Sequence, residues 1–343
     1  MKRHIFFAAS FIFLTITLMV ITSACKDQSG ITDPFYSNDA TSQTLRKMTD
    51  QSPTVNSFTP NYNEEEAMFF SGTLQKDIYP IRIGQKLNLV SRDLALVKDS
   101  STATGTLVQK FDGELIIAGT FQKPTIGIHS TVDTVIHKPF STTITRFIKY
   151  EKVSNTGNDT LDWKITAVSL PAGGTEGDDI LIQKLTLTKQ DGSSVVINDP
   201  GSYFFNVGKD KEKVFDNDED ENDDLGLNAS VEWHGWKRLS TWFKMNQEVK
   251  MSLEVLSKSS DPDLLTITYG AMMKGGNRSK YKFDLVSTTQ EGVYFRKTYE
   301  RNLRIQPYGG RMHAVINALP RTIVYDTETT VEEKTWGIPY KVN

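Results

Sequence analysis

Over most of its length the chain alternates apolar and polar residues with a period of two, in short runs separated by Gly, Asn and Asp. Leu87 and Leu89 alternate with Lys86 and Asn88, and Trp163, Ile165 and Ala167 with Lys164 and Thr166. Leu185 and Leu187 alternate with Lys184, Thr186 and Thr188. Further on, Val249, Met251, Leu253 and Val255 form one such run, Leu265, Ile267 and Tyr269 another, and Tyr281, Phe283 and Leu285 a third. This period predicts strands with one apolar and one polar face. Antiparallel sheets packed face to face suit such strands better than a parallel α/β sheet, whose strands are apolar on both sides.

Turn-forming pairs mark expected reversals. Asp112-Gly113 predicts a hairpin between Val108 and Ile116, and Asp191-Gly192 one that leads back into Val195 and Ile197. Glu291-Gly292 precedes Val293 and Phe295, and Ala172-Gly173-Gly174 reads as a turn. Late strands are expected at 312–316, 322–325 and 338–342. Residues 236–245 are the stretch that invites a helix, with Trp236, Leu239, Trp242 and Phe243 at helical spacing. The stretch is short and uncapped, so it predicts a turn or two at most.

The N-terminus breaks the pattern. Lys2 and Arg3 precede an apolar run over residues 5–21, and Thr22-Ser23-Ala24 then lead to Cys25. A charged start, an apolar middle and a small-residue exit describe a secretory signal. The run falls somewhat short of the roughly 20 residues of a comfortable membrane span, which favours cleavage over retention. Cys25 is the single cysteine of the chain and stands where the leader should end. Thr22-Ser23-Ala24-Cys25 resembles the lipobox of bacterial lipoproteins, with Thr22 where Leu is usual. The resemblance covers the leader alone. It implies acylation of Cys25, with a fatty acid such as palmitate, and attachment to a membrane. Cys25-Lys26-Asp27 resembles the short lysine-plus-acid signal of surface lipoproteins of the Bacteroidetes type, which favours the outer membrane.

These features divide the chain into a signal peptide (1–24), a tether (25–66), and two consecutive antiparallel β-sandwich domains (67–200 and 201–343), the second expected to be immunoglobulin-like. The tether is read from its Ser, Thr, Asn, Asp and Pro content and its lack of lasting apolar periodicity. Past Cys25 no cysteine is left for a disulfide, so burial and hydrogen bonding must hold the fold. A net charge of -3 with no basic block argues against a nucleic-acid binder.

Candidate chemistry is sparse. Asp216, Asp218, Asp220 and Asn222 alternate in the densest acidic run, a spacing that could offer oxygen ligands to Ca²⁺. Glu221 and Leu227 occupy the places where an EF-hand needs Gly and Glu, so a solvated acidic loop is the first reading and calcium the second. Trp233, Trp236 and Trp242, with His234, could stack on sugar rings, although Trp is more often a core residue. His129, His137, His234 and His313 show no metal-ligand spacing. Ser279 and Lys282 have Ser-x-x-Lys spacing but open an expected strand, where that motif cannot work. The sequence therefore points to a non-catalytic envelope lipoprotein, structural or adhesive, with a polysaccharide or an envelope protein as partner. The alternative is a secreted glycan hydrolase whose carboxylates the sequence does not single out.

Overall fold

The computed structural model describes residues 39–56, 68–69, 79–121, 131–207, 232–233, 236–238, 242–272, 279–324 and 327–343. After the two-residue strand Met68–Phe69 (β1) come three long ones, Tyr79–Lys98 (β2), Thr102–Thr120 (β3) and Thr134–Lys152 (β4), paired as an antiparallel meander. At about 3.4 Å per residue, strands of 19 and 20 residues reach well past the width of one sandwich. Trp163–Ser169 (β5), Ala172–Gly174 (β6), Ile180–Lys189 (β7), Ser194–Ile197 (β8) and Tyr203–Asn206 (β9) follow. Three short strands, Glu232–Trp233 (β10), Trp236–Arg238 (β11) and Trp242–Phe243 (β12), lead to Glu248–Ser257 (β13) and Leu264–Met272 (β14). The last are Ser279–Lys282 (β15), Asp284–Glu291 (β16), Tyr294–Arg304 (β17), Gly310–Leu319 (β18) and Lys334–Val342 (β19).

Among the described residues these strands make two sheets. The smaller runs β16-β17-β13-β7-β8. The larger runs β10-β11-β9-β5-β4-β6-β19-β18-β14-β15, with β3, β2 and β1 continuing from the other edge of β4 and β12 beside β19. Pairing is antiparallel except at β11–β9 and β12–β19. The protein is thus all-β and sandwich-like. Ladders cross Pro200 in both sheets, since β7 pairs with β13 and β6 with β19. Residues Ala40–Asn343 form one compact unit.

Burial explains the layering. Leu265, Ile267 and Tyr269 of β14 and Ala314, Ile316 and Ala318 of β18 pack with Leu185, Leu253, Val255 and Tyr299 of the smaller sheet. Their neighbours Leu264, Val315 and Leu319 point the opposite way and pack with Leu87, Leu115, Ile117 and Ile144 of the meander. Strands β14 and β18 are therefore buried on both faces, and Thr266 and Thr268, polar positions in the alternation, lie inside. The far ends of the long strands build a third cluster, Leu94, Leu96, Leu107, Ile148 and Tyr150, with Trp163, Ile165 and Val168 of β5.

A helix, Ala40–Gln51 (α1), covers that third cluster, followed by the single turn Pro53–Asn56 (α2). Both fall within the segment expected to be a tether. Ser42, Leu45 and Thr49 form the buried face of α1, at helical spacing that polar neighbours obscure in the sequence. Thr49 shares a 2.5 Å hydrogen bond with Tyr150, and Arg46 donates to the Leu94 carbonyl at 2.5 Å.

Other expectations change as well. Asp191-Gly192 is the β7–β8 turn, with Gly192 at φ +84°. Asp112-Gly113, by contrast, lies in the middle of β3, opposite Asn88 and Leu87 on one side and Ser141 and Phe140 on the other. Gly113 is there for space, because a Cβ would overlap Leu87 and the Lys86 carbonyl. Of the strand expected at 322–325, the described residues 322–324 form none: Arg321–Val324 is a 3₁₀ turn after Pro320, held by the buried Lys138 ammonium, which donates to the Ile323 and Thr329 carbonyls at 2.7 and 2.9 Å. The described residues of 236–245 hold the strands β11 and β12 and no helix, since their backbones bond to β9 and β19. Ala172-Gly173-Gly174 is no turn. As β6 it pairs with β4 on one edge and β19 on the other, and joins the two parts of the larger sheet.

A Cβ at Gly173 would overlap the Thr143 carbonyl, which is backbone and cannot swing aside. Gly173→Ala is therefore expected to lower the thermal midpoint more than Leu45→Ala, which removes a fully buried side chain at a cost of about 3 kcal/mol. Paired denaturation curves check the ranking.

Candidate functional site

Among the described residues, those that the sequence singles out do not converge. Cys25, Asp216, Asp218, Asp220 and Asn222 lie outside the described residues, as do His129 and His234. Trp233 and Trp236 are register partners across the β10–β11 hairpin. Trp242 is on β12, in register with Lys341 of β19, so the three tryptophans occupy two places in the larger sheet. Next to Trp242, the Phe243 ring is buried and meets Tyr340 edge to face at 5.9 Å. Together with Met251, Ile267, Leu303 and Ala314 these rings line an apolar cavity of about 30 Å³. His137 is exposed, 3.1 Å from Glu114, while His313 is buried in β18. Ser279 and Lys282 lie on a strand, as expected. Among the described residues no group of three His, Cys, Asp or Glu is placed to hold a metal ion.

Concentrated polar chemistry lies instead inside the sandwich. The Lys297 ammonium and the Asp263 carboxylate are both fully buried, 2.8 Å apart. Lys297 belongs to β17 of the smaller sheet, and Asp263 immediately precedes β14 of the larger one. The two carboxylate oxygens are held differently. Oδ1 accepts from the Ser257 hydroxyl at 2.9 Å and from the Arg321 backbone N–H at 3.4 Å. Oδ2 faces Lys297 and accepts from the Tyr299 hydroxyl at 3.3 Å. That hydroxyl in turn accepts the Asp263 backbone N–H at 2.7 Å, and Lys297 also donates to the Asp261 carbonyl. Burial pushes the Asp263 carboxyl above its ordinary value, against the opposing pull of the Lys297 charge.

The sequence holds a signal for this cluster. Along β17 the inward phase runs through Lys297, Tyr299 and Leu303, so a lysine occupies an apolar position. Asp263 gives no such hint, because after Pro262 it reads as a turn residue.

Two other buried carboxylates are structural. Glu332 accepts the Ile180 N–H at 3.2 Å beneath Gly177, where a Cβ would overlap its carboxylate, and burial raises its pKa. Asp162 closes the loop before β5. Its Oδ1 accepts the Thr156 N–H at 2.7 Å and the Thr156 and Ser154 hydroxyls at 2.8 Å, and its Oδ2 accepts the Gly157 N–H at 3.1 Å. These bonds, the Thr156 N–H foremost, hold the carboxyl down to about 2.

No protein-family model, no curated protein and no solved structure matches the chain.

Asp162 makes the fold acid-sensitive. Its folded value lies below the roughly 3.9 of an unfolded Asp, so its contribution is full above about pH 4 and disappears as the pH falls toward 2. Asp162→Asn is expected to lower the midpoint at pH 7 and to flatten its decline between pH 4 and 2, as read by melting at stepped pH.

Proposed function

We propose that this protein is an exported lipoprotein, anchored in the bacterial outer membrane through Cys25, with a structural or adhesive role and no catalysis of its own. The observation that carries the reading is the leader, with Lys2 and Arg3, the apolar run over 5–21, and Thr22-Ser23-Ala24 before the single cysteine. The folded part supports it by its design. Among the described residues the carboxyls with raised pKa are Asp263, fully buried, and Glu332, tied to the Ile180 N–H, positions unsuited to donating a proton to a glycan. A glycan hydrolase would need such an acid facing its substrate, so binding is favoured over hydrolysis.

Polysaccharide recognition falls to Trp233, Trp236 and Trp242, aromatic residues of the kind that stack on sugar rings. Calcium at Asp216, Asp218, Asp220 and Asn222 is the second reading of that acidic run, behind a solvated loop.

Metabolic labelling with an alkyne fatty acid tests the anchor. Label should appear on the wild-type chain and vanish in Cys25→Ser, which should move from the membrane to the soluble fraction. Label retained by Cys25→Ser would sink the proposal. For the partner, retention on insoluble polysaccharide should fall at least about tenfold in Trp236→Ala, on the scale of one lost ring contact. Equal retention would turn attention to envelope proteins.

A further inference from the structure

A buried ion pair is a weak way to stabilise a fold, because removing both charges from water costs several kcal/mol per ion in effective terms. Lys297 and Asp263 incur that penalty at 0% side-chain exposure, in a site that also distinguishes the two oxygens of the acid. We infer that Lys297 and Asp263 condense to an intramolecular amide that covalently joins the two sheets of the sandwich.

The arrangement places the amine, the acid and hydrogen-bond donors to both carboxyl oxygens in one buried site. The pair first exchanges a proton, from the Lys297 ammonium to Asp263 Oδ2 across their 2.8 Å hydrogen bond. Burial favours the neutral form of the acid over its carboxylate. The raised pKa of Asp263 runs in the same direction. The amine lone pair then attacks Cγ, and negative charge builds on Oδ1. That oxygen already receives the Ser257 hydroxyl and the Arg321 N–H, two donors aimed where charge develops. The Cγ–Oδ2 bond breaks, and Oδ2 leaves with its own proton and one from the amine, as water. Tyr299, with its hydroxyl on Oδ2 and its lone pair on the Asp263 N–H, relays that proton. One amine and one carboxylic acid give one amide and one water, with no oxidant, reductant or activated co-substrate.

Two effects drive the condensation. Both groups are held in hydrogen-bonded register, so the step is unimolecular and its entropy cost is already met by folding. The product replaces two buried charges with one neutral amide, whose remaining N–H can keep the bond to the Asp261 carbonyl. The link ties β17 to the start of β14 and closes a loop between positions 34 apart.

Proteolytic digestion of the folded full chain, followed by mass spectrometry, tests the inference. The expected result is a branched peptide carrying both positions 263 and 297, lighter than the sum of its parts by the mass of one water and stable to boiling in reductant. Recovery of the two peptides unlinked, with no branched species, overturns the inference whatever any variant does. Lys297→Arg keeps the charge but cannot form the amide under these conditions, so the branched peptide should vanish. Its persistence would assign the link to another pair. Ser257→Ala should slow appearance of the link during refolding by about a hundredfold. An unchanged rate would remove Ser257 from the reaction.

Discussion

Between Ile144 of β4 and Thr335 of β19 there is room for a backbone and almost nothing else, and Gly173 fills it. The larger sheet depends on that fit. On one side of β6 lies the meander with its two clusters, and on the other lie β19, β18 and β14, which form one wall of the sandwich. A side chain at 173 would push the edges apart and disturb ladders on both sides. The composition of β6, which resembles a turn, is what allows a strand to lie in so narrow a slot.

Buried cations show a second regularity. Arg146, almost fully buried, donates to the Val55 carbonyl of α2 at 2.6 Å and to the Ser169 carbonyl at 3.4 Å. Lys138 does the same for the segment around Ile323, and Lys297 for Asp261. In each case a long side chain on a regular strand reaches a carbonyl of an irregular segment, the single turn α2, the 3₁₀ turn at Arg321–Val324 or the loop before β14. Fully bonded in this way, a buried charge fixes where the irregular segment docks. At Lys297 a carboxylate joins the arrangement, and the structural clasp acquires reactive partners.

The alternation of apolar and polar residues revealed the strands and their antiparallel, sandwich-like packing, because period two survives wherever one face is buried. It did not reveal the layering. Thr266 and Thr268 look like a solvent face, yet both are buried, and a hydroxyl is as compatible with a buried strand as with a wet one. Gly113 and Gly173 misled for a related reason: sequence tells where a side chain is missing but not whether a bend or a close neighbour requires it. Helix α1 was hidden because its buried face uses Ser42 and Thr49 beside Leu45. Of the candidate chemistry, Lys297 was visible as a charge in the inward phase of β17. Asp263 was not, since its importance comes from a strand 34 positions away.

The reach of β6 also sets the order in which the molecule can be made. Thr175, just past β6, bonds to Glu333, just before β19, across 158 positions of sequence. While that stretch is being synthesised, β4 and β6 present open edges, and half of the sandwich core has nothing to face. Pairings so distant form slowly, and the unpaired edges meanwhile invite association with other chains. The larger sheet can therefore close only after residues 334–342 have been made, an order of assembly written into three small residues.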